Sequence, residues 1–197
     1  MTHTSTRRRK HRHDPQGVAI GIALILVGLA LFLFWSGLRS LSPSNAASDG
    51  NSAEPMAVNF PAPQLELTSV NGKLESLADF RQDVLLVNNW ATWCPPCKAE
   101  MPTLESYYEV HAAQGFMIVA IEAGDGPDPV LQFAQSRGLQ FQVWLDPRNA
   151  ALAVFRNANL PNSYVIDRGG MVRYAWTGAI SRDRLEKFVT PLLAQSN

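Results

Sequence analysis

Apolar positions fall into three regimes along this chain. From Val18 to Leu38 no residue carries a charge, and apolar residues fill nearly every position. About 20 such residues are enough to cross a bilayer as a helix. Trp35 stands near the far end of the run, where an indole prefers the interface. From residue 39 to residue 58 the pattern disappears: Ser, Pro, Asn, Ala and Gly follow one another with no helical or strand period. That stretch reads as a flexible tether. From residue 59 to residue 197 apolar residues return in short periodic groups, which is the pattern of a folded domain.

The groups in this domain predict its elements in order. Gln64-Leu65-Glu66-Leu67-Thr68 alternates as a half-buried strand does, and Asn71-Gly72 turns it into a hairpin through Lys73-Leu74-Glu75. Leu77 to Phe80 forms one helical turn. Val84 to Trp90 is apolar on both faces except at Asn88 and Asn89, as in a central parallel strand. A helix starts near Pro95, with Met101, Leu104 and Tyr108 as its core face and Pro102 expected to kink it. Phe116 to Ile121 is a second buried strand, and Asp128 to Arg137 a helix closed by Gly138. Phe141 to Leu145 is a strand and Ala150 to Arg156 a short helix. Ser163 to Asp167 and Met171 to Trp176 are strands joined by a turn at Gly169-Gly170. Arg182 to Leu193 is a terminal helix with Leu185, Phe188, Val189 and Leu192 inward. Alternating strands and helices followed by a hairpin give an α/β fold with a central mixed sheet.

Charge adds an orientation. The neutral total combines a basic tip with a mildly acidic body: residues 1–13 carry five basic residues, and residues 39–197 carry twelve basic and sixteen acidic ones. A basic run directly before an apolar helix marks the cytoplasmic side. Residues 1–17 are therefore expected in the cytoplasm, 18–38 in the membrane as a signal anchor, and the domain outside the cytoplasm. Ser44-Asn45-Ala46 is a small-residue cleavage site, so removal of the helix stays open. The body holds no basic patch of the kind that binds nucleic acid.

The chemistry concentrates at Trp93-Cys94-Pro95-Pro96-Cys97, which holds the only two cysteines. A strand that delivers C-x-x-C to a helix N-terminus is a redox arrangement. The helix dipole favours the thiolate, which is the reactive form. Cys94, at the helix start, is the expected attacking thiol, and Cys97, one turn on, the resolving one. A structural disulfide across two intervening residues would gain little chain entropy. A zinc site needs about four ligands, and the exported part adds only His111, read as a solvent-facing helix residue. No cofactor is expected beyond the cysteine pair itself.

The block Asn88-Asn89-Trp90-Ala91-Thr92-Trp93-Cys94-Pro95-Pro96-Cys97-Lys98-Ala99-Glu100-Met101-Pro102 resembles the active site of the thioredoxin superfamily. Within it, the similarity is to the membrane-anchored TlpA/ResA type of thiol–disulfide oxidoreductase. Leu160-Pro161-Asn162-Ser163-Tyr164 resembles that family's cis-proline segment. The resemblance implies a thioredoxin-like fold with an N-terminal hairpin extension, and a cis Pro161 facing the cysteines. It implies Trp93 and Leu160 at the substrate surface and Glu100 near the buried cysteine as a proton acceptor. Without the resemblance Glu100 also reads as a solvated glutamate in the first helical turn. The chain departs from the family at Asn89, where an aromatic residue is usual. The resemblance further implies reduction of disulfides in exported proteins, commonly in cytochrome c maturation. Both the exported substrate and a membrane electron donor are then separate molecules, since the chain has no further cysteine. Two other readings stand beside it. A thiol peroxidase of the same fold would need a P-x-x-x-T-x-x-C pattern, which is absent. A non-catalytic binding module of an envelope assembly would make the cysteines dispensable.

Overall fold

The strand expected at Val84 is the axis of the molecule. The computed structural model describes residues 52–195. Among them are β1 (Met56–Pro61), β2 (Glu66–Ser69), β3 (Leu74–Ser76), β4 (Val84–Trp90), β5 (Phe116–Ala123), β6 (Gln142–Asp146), β7 (Asn162–Ile166) and β8 (Met171–Thr177). They form one sheet in the order β1-β8-β7-β4-β5-β6-β2-β3. All of β4 is buried. It pairs parallel with β5 and antiparallel with β7, and β5 pairs parallel with β6. Antiparallel strands flank this centre on both sides. The thioredoxin-like mixed sheet is therefore present, and the hairpin extension is β2–β3, turned at Gly72 with φ +80.

The helices are α1 (Pro95–His111), α2 (Pro127–Arg137), α3 (Ala150–Val154), α4 (Arg182–Phe188) and α5 (Thr190–Leu193). Successive residues of β4 and β5 point to opposite faces, as the strand period requires, and supply two cores. Leu86, Trp90 and Ile118 pack with Met101, Leu104, Tyr107 and Leu185 on one face. Leu85, Val87, Val119 and Ile121 pack with Trp144 and Tyr164 on the other.

Four expectations change. The buried tyrosine of α1 is Tyr107, while Tyr108 lies at the margin of the core. The terminal helix is two helices that meet at Val189, because Pro191 has no N–H to continue the ladder. His111 is buried, not solvent-facing: its ring lies tilted against that of Tyr107, and its Nε2 lies 3.4 Å from the Glu186 carboxylate. Met56 to Val58, placed in the tether by composition, belong to β1, which pairs with β8. Just before β1, the Ala53 amide donates to Ala179 O, Ser52 Oγ accepts from the Ser181 amide, and Glu54 pairs with Arg184. No helix among the described residues is long and apolar enough to cross a membrane. The basic tip, the expected membrane helix and the tether up to residue 51 lie outside the described residues.

Candidate active site

The chain leaves β4 at Trp90, turns through Ala91-Thr92-Trp93 and enters α1 at Pro95. Cys94 is the N-cap residue, with extended φ −90 and ψ 107, and its Sγ accepts from the Cys97 amide at 3.3 Å. Pro95 and Pro96 occupy helix positions whose N–H groups would have no intrahelical partner, so they sacrifice no hydrogen bond. Cys94 and Cys97 form a disulfide, with Cα atoms 5.3 Å apart. Cys97 is fully buried and Cys94 is 4% exposed. On reduction, the Cys97 amide already aimed at the Cys94 sulfur, together with the helix dipole, favours its ionised form.

A second segment reaches the same end of β4 through the sheet. Asn89 of β4 is opposite Asn162 of β7, so the residues just before β7 lie beside the strand end that leads to Cys94. These are Leu160 and Pro161, joined by a cis peptide bond. Leu160 and Trp93 are two walls of a groove of about 560 Å³, which is also lined by Ala123 to Asp125 at the end of β5, by Leu152 and Ala153 of α3 and by Ala158. Trp93 is 66% exposed, whereas Trp90 is wholly buried against Phe133. A second cavity of about 500 Å³, near Leu77, Phe80 and Leu85, lies at the opposite end of β4 and touches none of these residues.

Glu100 lies one turn beyond Cys97 on α1, and residues three apart share a helix face. It is 2% exposed. Its Oε1 accepts from Asn88 Nδ2 at 2.8 Å and its Oε2 from the Ile180 amide at 3.3 Å. Burial pushes its pKa up to about 7, and the two hydrogen bonds oppose that rise only in part. The carboxyl group is thus held in place and able to change protonation near neutrality.

Comparison with known proteins adds to this geometry. Residues 58–175 match the AhpC/TSA family model. The thiol-disulfide oxidoreductase ResA of Geobacillus kaustophilus is 33% identical over 132 residues, which is 67% of this chain and 76% of the relative. ResA of Bacillus subtilis is 32% identical over 128 residues, 65% of this chain and 72% of its own length. Among solved structures, a thiol:disulfide interchange protein of the thioredoxin family from Chlorobium tepidum superposes with a TM-score of 0.63 at 28% identity, covering 71% of this chain and 99% of that one. The chain belongs to the AhpC/TSA family, as a ResA-like thiol–disulfide oxidoreductase.

In this oxidoreductase, Cys94 and Cys97 are joined, and Trp93 and Leu160 meet at one groove. Glu100 is on the helix that carries both cysteines. His111 is at the other end of that helix, roughly 25 Å away along its axis, against Glu186. Several residues of the site were not singled out from sequence. Ile180 holds Glu100 only because the loop after β8 folds over α1. Glu122 is fully buried at the end of β5. It accepts from the Asp125 amide at 2.9 Å and, at 3.4 Å, from the Thr92 amide in the turn before Cys94. Thr92 Oγ1 in turn donates to the Asp125 carboxylate. Burial, helped by the adjacent Asp125 carboxylate, pushes the Glu122 pKa up to about 7. A lone acid in the apolar run Phe116 to Ala123 was the available signal.

Proposed function

We propose that this oxidoreductase is a membrane-anchored, extracytoplasmic reductase of disulfides in exported proteins, with cytochrome c maturation as its setting. One observation carries the chemistry: the Cys94–Cys97 pair caps α1 at the end of β4 to which β7 also brings the cis Leu160–Pro161 segment. Cys94 is the attacking thiol. Its thiolate attacks one sulfur of a substrate disulfide, forming a mixed disulfide and releasing the other substrate sulfur as a thiolate that takes up a proton. Cys97 then attacks Cys94, closing the Cys94–Cys97 disulfide and releasing the second substrate thiol. Glu100, whose pKa of about 7 leaves a carboxylate fraction at neutrality, accepts the Cys97 proton in that second step as the carboxylate. Trp93 and Leu160 offer the apolar surface against which the partner chain lies. A separate membrane electron donor returns the pair to the dithiol. The uncharged run 18–38 behind a basic tip supports the anchor and its orientation.

The test is a Cys97→Ser variant expressed in cells as the full chain. It is expected to accumulate mixed disulfides through Cys94 with exported proteins, and a variant that captures none sinks the exchange mechanism. The direction is read from the potential of the pair. A value well above the roughly −200 mV of an oxidising exported compartment would make the protein an oxidant.

A further inference from the structure

Two buried asparagines at the end of β4 and the start of β7 do work that the exchange chemistry leaves unassigned. Asn89 and Asn162 are both fully buried. Asn89 Nδ2 donates to Asn162 Oδ1 at 2.8 Å. Asn162 Nδ2 donates in turn to Asn159 O at 2.6 Å and to Asn157 O at 3.4 Å. The Asn157 side chain continues the path: its Oδ1 accepts from the Asn159 amide at 3.1 Å, and its Nδ2 donates to Thr177 Oγ1 at 2.9 Å. The orientation of the pair follows from its neighbours. Two backbone carbonyls can only accept, so Asn162 must turn its amide nitrogen to them and its oxygen to Asn89, which must then present its own nitrogen.

Filling the core does not account for this pair. An apolar side chain at Asn89 would pack without desolvating a carboxamide, and Asn89 Oδ1 is buried with no partner. Nor does the sheet need the pair, because β4 and β7 are already joined through their backbones. The pair holds what regular structure does not: the stretch between the end of α3 at Val154 and the start of β7 at Asn162. That stretch supplies Ala158 and Leu160 to the groove beside Trp93.

We propose that Asn89 and Asn162 are positioning residues for substrate docking. They fix Asn157 to Leu160 as a preset wall, so that a polypeptide carrying the target disulfide meets a rigid surface beside cis-Pro161. This rests on the exchange reading above.

The experiment is single-turnover reduction of a peptide with one intramolecular disulfide by the pre-reduced full-length protein, over a range of peptide concentrations. In Asn89→Leu the half-saturating peptide concentration is expected to rise about tenfold, the scale of one lost buried hydrogen bond. The limiting rate and the Cys94–Cys97 potential should change little. Because Asn89 acts only through Asn162, the rise in Asn89→Leu/Asn162→Leu should match that of Asn162→Leu alone rather than the product of the two single variants. If Asn89→Leu does not fold, the surface variant Asn157→Ala decides, with an expected rise of roughly threefold. Unchanged half-saturation in a folded variant overturns the proposal while wild-type turnover leaves the exchange reading standing. A fall in limiting rate with a shifted potential also overturns it, since the pair would then act on the cysteines. A reduced wild type that cannot reduce the peptide removes the exchange reading and the proposal together.

Discussion

Glu100 has a protonation state that connects stability with chemistry. Below its unfolded pKa of 4.5 the carboxyl is protonated whether the chain is folded or not. Between 4.5 and about 7 the folded protein keeps the proton that the unfolded chain has lost. Above that, both states are ionised, and the folded one holds a charge away from water. The contribution is therefore fully present below pH 4.5 and is lost as pH rises through about 7. A shift of that size corresponds to something on the order of 3 kcal/mol. Glu122, raised for the same reason, acts in the same direction. The oxidised protein should accordingly show a higher urea midpoint at pH 5 than at pH 8, and Glu100→Gln should flatten that difference. An undiminished difference in the variant would mean that the carboxylate does not titrate in this window. The same substitution should remove an inflection near pH 7 from the rate of peptide reduction while leaving the cysteine pair able to exchange. The residue type and its place after the cysteines were visible in the sequence. Its place near the buried cysteine followed only from the resemblance; the local pattern equally allowed a solvated glutamate, because burial depends on Asn88 from β4 and Ile180 from the loop after β8 arriving at one point.

Elements whose signal is local were legible, and elements set by a distant partner were not. β4 and β5 are apolar on both faces apart from Asn88, Asn89 and Glu122, and their expected bounds match to within two residues. The start of α1 was marked by Pro95, and the end of α2 by Gly138, which takes the left-handed conformation. The break between α4 and α5 was marked by Pro191 but hidden by a continuous amphipathic pattern. α3 shows a capping arrangement that adjacent-residue rules do not anticipate. Its N-cap residue, Asn149, has a left-handed backbone (φ 56) and makes no cap with its side chain. The acceptor is Asp146, 1% exposed at the end of β6, whose two oxygens take the Ala150 amide at 2.9 Å and the Ala151 amide at 2.8 Å. Asp146→Ala would leave those amides without their acceptor in a buried position. A loss of roughly 2 kcal/mol is expected from urea unfolding. Asp146→Asn, which keeps one acceptor, should lose less. Equal losses would show that the charge, rather than the two bonds, holds α3. Because Leu152 and Ala153 line the groove, the element that Asp146 anchors is also part of the candidate docking surface.

For the molecule as a whole, the α/β class and the place of the cysteines followed from strand order and one motif, but the domain's N-terminal edge did not. Residues 52–61 are mostly exposed, polar or small, and nothing in their periodicity separates them from the tether. What makes them part of the domain is backbone pairing with a strand more than a hundred residues later: β1 covers the edge of β8, with Met56 opposite Ala175 and Phe60 opposite Val172. An uncovered β8 would present a row of unpaired amides and carbonyls, which is a template for association. The residues before β1 act on a different place. Ser52 and Ala53 hold Ala179 and Ser181, on either side of the Ile180 amide that binds Glu100. Removing this segment should therefore affect both the sheet edge and the site. A chain beginning at Ser52 should unfold at the same temperature as the full-length protein. One beginning at Ala62 should unfold roughly 5–10 °C lower, as expected for a loss of a few kcal/mol in a domain of this size. It should also associate at concentrations where the longer chain stays monomeric, and its rate of peptide reduction should lose part of the inflection near pH 7. Sedimentation, thermal unfolding and the pH–rate profile read these three effects separately. If the shorter chain is monomeric and equally stable, β1 is a passive extension. If only the pH profile changes, Ser52 and Ala53 act on the site through the Ile180 loop independently of the sheet edge.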